Sequence, residues 1–175
     1  MLIPVNELPP GGAQFILDDQ ALWLSSIDDF GMNCAVTSPL AAGVTVIPAK
    51  TGCLVHGRLT GKIVMPCNRC AEDSSISIAS YFEEFELSPD GDSARDGEES
   101  RIITQNGIPI LDLAAICWEE FVLSLPAVPL CSPDCKGGCP GCRTNLNNAA
   151  CVCMRDEPDS RFAVLLGLKL DRKSR

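Results

Sequence analysis

The order of apolar and polar positions divides the chain into a strand-rich part, a polar gap, a helix and a cysteine-rich stretch. Phe15-Ile-Leu17 and Leu22-Trp-Leu24, separated by Asp18-Asp-Gln20, predict two short strands and a turn. From 35 to 66, β-branched residues are frequent and helical periodicity is weak. Val44–Ile47, Gly52–Val55 and Gly61–Met65 read as strands punctuated by Pro48, Gly57 and Gly61. Ser75-Ile-Ser-Ile78 alternates with period two and Tyr81–Leu87 continues the alternation, so the β-rich part, 13–87, predicts an antiparallel meander.

Ser88 to Arg101 contains no apolar residue larger than alanine and predicts a flexible acidic loop over 88–101. Asp112 is a good N-cap for a helix over 112–125. Leu113, Ile116, Cys117 and Phe121 share one face of it; Trp118, Val122 and Leu125 widen that face, while Glu119 and Glu120 point elsewhere. Pro126 and Pro129 end the helix and lead into a cysteine-rich segment at 131–153, and a last helix is predicted over 160–170.

A length of 175 residues, 46% apolar, is enough for one domain with a core. The net charge of −9 is local. The window Glu72–Glu99 holds ten acids against Arg95, whereas the stretch from Cys131 onward holds eight bases and five acids. The total therefore argues against generic nucleic-acid affinity but leaves it open for the last third. The start, Met-Leu-Ile-Pro-Val-Asn-Glu, lacks the basic and apolar regions of a secretory signal, and the longest apolar run, Phe162–Leu168, falls short of the roughly 20 residues that span a bilayer. These features predict a cytoplasmic protein with no membrane partner. In that compartment clustered cysteines are metal ligands or redox groups more often than bridges.

Eleven cysteines accompany a single histidine, His56. One histidine cannot build a multi-histidine zinc enzyme, and an odd number of cysteines cannot all pair as disulfides. Eight cysteines fall into four close pairs: Cys67/Cys70, Cys131/Cys135, Cys139/Cys142 and Cys151/Cys153. A tetrahedral zinc site takes four thiolates at about 2.3 Å, and a close pair supplies two corners from one tight turn. Four pairs could make two sites, and hence bind two zinc ions. Loop geometry favours a local site from Cys139, Cys142, Cys151 and Cys153, with Cys67 and Cys70 meeting Cys131 and Cys135 across some sixty residues. The alternative joins Cys131/Cys135 to Cys139/Cys142. Disulfides or free thiols would suit a secreted chain, and iron ligation is a third option, although the C-x2-C-x2-C spacing of bacterial ferredoxins is absent. Cys34, Cys53 and Cys117 stand alone and read as small buried hydrophobes.

Catalytic readings fare poorly. Pro66-Cys-Asn-Arg-Cys70 matches half of the zinc deaminase signature, but His56 is followed by Gly57 and Arg58, so the required glutamate is missing. A thioredoxin-like pair would need a helix after Cys70, where Ser74 to Ser80 alternates like a strand. No nucleophile–base pair or phosphate loop is present, so the chain reads as a non-enzyme with no small-molecule substrate.

In order along the chain come Val55-His-Gly-Arg-Leu-Thr-Gly61, Met65-Pro-Cys-Asn-Arg-Cys70, Tyr81-Phe-Glu-Glu-Phe85, Ile110-Leu-Asp-Leu113, Leu123–Leu130, the block Cys131–Cys153 and Asp159–Leu166. This succession resembles the YceD family, the large ribosomal RNA subunit accumulation proteins, over roughly residues 50–170. The resemblance implies a role in 23S rRNA accumulation and large-subunit biogenesis, without established enzymatic activity. It implies ribosomal RNA or large-subunit ribosomal proteins as partners. Arg58, Lys62, Arg69, Lys136 and Arg143 are the candidate RNA or partner contacts. Arg143 stands where glycine is common in such cysteine knuckles. The whole reads as an α+β protein, mostly antiparallel β-sheet, with one packed helix and a zinc-organised C-terminal segment. The competing class is a thiol-based redox or metal-responsive regulatory protein.

Overall fold

A computed structural model describes residues 1–88 and 100–153. The C-terminal helix expected at 160–170 and most of the acidic loop lie outside the described residues. Among these residues seven strands and two α-helices follow in the order β1 (Leu2–Pro4), β2 (Ala13–Leu17), α1 (Gln20–Asp29), β3 (Ala35–Ala49), β4 (Gly52–Pro66), β5 (Asp73–Leu87), β6 (Ile102–Gln105), β7 (Ile108–Asp112) and α2 (Leu113–Leu123). Two antiparallel sheets result, β2-β3-β4-β5 and β1-β7-β6.

The meander is longer than its punctuation suggests. Gly52–Val55 and Gly61–Met65 belong to one fifteen-residue strand, β4, paired along β5 from Gly52↔Leu87 to Pro66↔Asp73. Gly57 and Gly61 do not break it, because they face close neighbours instead. A Cβ on Gly57 would lie 2.8 Å from Phe82 Cζ, and one on Gly61 2.6 Å from Leu40 Cδ2, so these glycines let large side chains lie flat on the strand. Pro39 cannot donate to the ladder, and the β3–β4 register shifts beside it, between Ser38 and Ala41.

Leu22-Trp-Leu24 is not a strand but part of helix α1. Asp19 caps it, its carboxylate accepting from Ala21 N at 2.9 Å, and Trp23 and Ile27, one turn apart, are its buried residues. Asp112 caps α2 in the same way, accepting from Ala115 N at 3.2 Å. The inner face of the large sheet (Leu40, Ala42, Val44, Val46, Val55, Leu59, Ile63, Ile78) buries with Trp23 of α1, Leu111 of the small sheet, and Leu113, Ile116, Cys117 and Phe121 of α2. Trp23, Phe121 and Trp118 form a chain of rings with centroids 6.0 and 5.3 Å apart. Two side chains of α2 depart from the expected faces. Glu120 is buried, because it lies one turn from Ile116 and Cys117 on the core stripe, and Val122 is 43% exposed. Among the described residues no helix is long and apolar enough to cross a membrane.

A candidate metal centre

The turn between β4 and β5 is itself a cysteine knuckle. After Pro66 the chain runs Cys67-Asn-Arg-Cys70-Ala71 and returns, Cys67 N donating to Glu72 O at 2.8 Å and Ala71 N to Cys67 O at 2.9 Å. The reversal needs a left-handed residue, and Ala71 takes that role at φ 61°. Arg69 N points at Cys67 Sγ, 3.4 Å away. The segment leaving α2 is zipped onto this turn, with Asn68 N donating to Pro129 O at 2.9 Å and Ser74 Oγ to Leu130 O at 2.7 Å. Those bonds deliver Cys131 and Cys135 to Cys70 and Cys67, with Sγ–Sγ separations of 3.5 and 3.8 Å.

A second knuckle repeats the first. Arg143 N donates to Cys139 O at 2.8 Å, and Arg143, in the place of Ala71, is left-handed at φ 62°. Cys139 N donates to Thr144 O at 2.9 Å. Cys151 Sγ lies 3.2 Å from Cys139 Sγ and 3.4 Å from Cys142 Sγ. Cys153 N is directed at Cys151 Sγ at 3.2 Å.

The eight sulfurs thus gather as Cys67/Cys70/Cys131/Cys135 and Cys139/Cys142/Cys151/Cys153, those of each group within 4.8 Å of one another. Four ligands at about 2.3 Å in a tetrahedron have sulfurs about 3.8 Å apart. The contacts above sit near that edge length and well beyond the roughly 2.05 Å of a disulfide. Either group could hold a metal ion.

Side chains around the clusters bind them together. Asn147 Nδ2 donates to Cys135 Sγ at 3.3 Å and to Asn145 Oδ1 at 2.8 Å, while its Oδ1 accepts from Lys136 N at 2.8 Å. Asn145 Nδ2 reaches Glu72 Oε1 at 3.3 Å. Arg69 joins both segments. Its guanidinium donates to Cys135 O at 2.8 Å, and its carbonyl accepts from Gly138 N at the same distance.

These donors also set thiol acidity. Burial pushes the Cys67 thiol up, but backbone N–H groups of Cys131, Arg69 and Cys70 outweigh it and bring it down to about 6. The Thr144 hydroxyl and backbone N–H bring Cys142 down to about 6 as well. Asn147 lowers Cys135. Protons are left with their neighbours: Cys131, facing Cys135 and Cys70, and Cys153, facing Cys142 and Cys151, are pushed up to about 12. Each cluster therefore holds ready thiolates beside thiols that a cation would deprotonate.

The lone cysteines lie elsewhere. Cys53 and Cys117 are buried in the core and Cys34 packs against it, half-buried. The five cations fall into two groups. Arg58 and Lys62 are exposed on the outer face of the large sheet, Arg58 lying over the Tyr81 ring at 5.1 Å. Arg69, Lys136 and Arg143 surround the cysteines, and Arg69 is committed to Cys135 O. Asn145 and Asn147, absent from the sequence-level site, support it most directly; their signal was the polar Asn145-Leu-Asn147 triplet between two cysteine pairs.

Residues 55–169 match the family model described as large ribosomal RNA subunit accumulation protein YceD. Over 157 residues, 75% of the chain, it is 27% identical to the Arabidopsis thaliana protein named large ribosomal RNA subunit accumulation protein YCED homolog 1, chloroplastic, covering 49% of that relative. It is 29% identical over 94 residues, 52% of the chain, to an uncharacterised protein of Mycobacterium bovis and to one of Mycobacterium tuberculosis, covering 44% of each. The chain spans about half the length of the curated relatives it matches. No solved structure matches it.

Proposed function

The chain belongs to the YceD family, and from that premise we propose that it is a non-enzymatic, zinc-binding factor of the cytoplasm that supports accumulation of 23S ribosomal RNA and formation of the large ribosomal subunit. The names of the family and of the plant relative support the role. The observation that carries the zinc is the pair of four-sulfur clusters, both inside the matched segment. An all-sulfur tetrahedral set suits zinc, and sulfurs this close surround one ion rather than a multi-iron cluster. When bound, zinc supplies cross-links. The first joins the β4–β5 turn to the exit of α2, and the second closes the segment 139–153 on itself. Ribosomal RNA or large-subunit proteins are the partners in this reading, with Arg58, Lys62, Lys136 and Arg143 as exposed cations that could meet them.

Two measurements test it. Metal analysis of the purified chain should return two zinc ions; one or none overturns the two-site reading. Cells lacking the protein should lose 23S rRNA relative to small-subunit rRNA, and the unaltered chain should restore it where a Cys135→Ser, Cys139→Ser variant does not. An unchanged 23S level in the deletion refutes the function.

A further inference from the structure

Between the end of α1, strand β5 and the outer side of α2 lies an open groove of about 560 Å3, lined by Phe30, Met32, Glu84, Trp118, Glu119, Val122 and Leu123. Phe30 is 69% and Leu123 73% exposed, and Phe30 stacks on Trp118 with centroids 5.2 Å apart. Exposed apolar side chains gathered along a groove with a polar rim are a form that interaction sites take.

Its charge is as particular as its apolarity. Glu84 forms part of the wall, and Glu120, which faces it from α2, is only 8% exposed. The neighbouring Glu119 is matched by Arg101, but among the described residues neither Glu84 nor Glu120 has a cationic partner. Burial and the facing Glu84 push Glu120 up to about 7. A lysine or arginine placed here would meet the Glu84 carboxylate and an aromatic face together. RNA phosphates would face the Glu84 and Glu119 carboxylates.

We propose that this groove docks a basic, apolar-anchored segment of a partner protein, its Lys or Arg received by Glu84 and its apolar side chains by Phe30, Trp118 and Leu123. The inference narrows the partner in the function proposed above and rests on that reading for the partner's place in ribosome formation.

The test uses the full zinc-loaded chain and a labelled helical peptide of about twelve residues built from Lys-Leu-Leu-Lys repeats, with its Glu-for-Lys counterpart and polyuridine RNA as rivals. The lysine peptide should bind at least about tenfold tighter than the glutamate peptide, and polyuridine should not displace it. Glu84→Gln and Leu123→Ala should each weaken it about tenfold, while Ile16→Ala, an exposed apolar change on the large sheet, should not. No binding, equal binding of the two peptides, displacement by polyuridine, or variants indistinguishable from the unaltered chain would overturn the proposal. A Glu84→Gln, Leu123→Ala double variant that fully restores 23S rRNA strikes the partner assignment and spares the function. Failure of the unaltered chain to restore it strikes the function.

Discussion

Replacing Asn147 with alanine should loosen the first metal cluster without touching the second. The side chain donates to Cys135 Sγ at 3.3 Å, accepts from Lys136 N and donates to Asn145. Asn147 is exposed, so water can take over the bonds to Lys136 and Asn145, and their loss adds little. The donor to the thiolate is different, because hydrogen bonds to charged groups are worth about 1.5–3 kcal/mol. Taking about 2 kcal/mol, metal affinity at the first cluster should fall roughly 30-fold, within the range of about 10–100-fold found when groups orienting metal ligands are removed. Titration of the zinc-loaded chain with a graded chelator, read by a chromophoric zinc indicator, resolves one release step per cluster. Only the first step should move. Asn147→Asp keeps the acceptor for Lys136 but sets a negative charge against Cys135, and it should loosen the ion further. An Asn147→Ala affinity within about threefold of the parent, or an aspartate variant no worse than alanine, would refute the reasoning.

Arg143→Gly should raise stability by about 1 kcal/mol, the cost of holding a residue with a Cβ in the left-handed region at φ 62°, and should raise the melting temperature by a few degrees; no gain would mean that the knuckle does not impose this conformation. Asp112→Ala should cost about 1 kcal/mol in denaturant unfolding, because Ala115 N loses its acceptor, while Asp112→Asn should keep most of it. Burial, helped by Glu86 at Cys53 and by Glu120 and Glu84 at Cys117, pushes both thiols from 9.0 to about 12, although the positive N-terminus draws Cys117 the other way. A raised thiol keeps its proton in the folded state. The associated stability is therefore complete below pH 9 and is lost as pH climbs towards 12, and Cys117→Ala should flatten that alkaline slope in urea melts; an unchanged slope would place the titrating groups elsewhere.

The β-branched residues of β3 and β4 and the alternating residues of β5 make the meander legible, and Asp112 ahead of Leu113 and Ile116 does the same for α2. Helix α1 reads as a strand in the sequence because Leu22-Trp-Leu24 is too short to separate a period of two from one of 3.6. The signal that separates them is Trp23 with Ile27 one turn on, behind the cap at Asp19. The small sheet was missed although Asn106-Gly107, left-handed at φ 52° and 80°, is a strong hairpin signal between Ile103 and Ile108. Strand β1 could not be read locally, since its partner Leu111 lies across the whole meander from Ile3. Spacing identified the cysteine pairs, but which pairs meet is decided by where β4 turns and where α2 exits. Glu120 defeated the rule that acids face water; its burial follows from the helical repeat, and its pairing with Glu84 from a strand no sequence window contains.

The first cluster joins Cys70 to Cys131, 61 positions apart, and that separation has a consequence in time. At about 5–20 residues per second, a ribosome synthesises Cys67 and Cys70 some 3–12 seconds before their partners. In that interval the nascent β4–β5 turn exposes half a metal site, both of its thiols without their partner sulfurs. The second cluster has no comparable delay, because its four ligands leave the ribosome within fifteen residues of each other. Synthesis under zinc limitation or oxidant should therefore damage the first pair of cysteines before any other part of the chain.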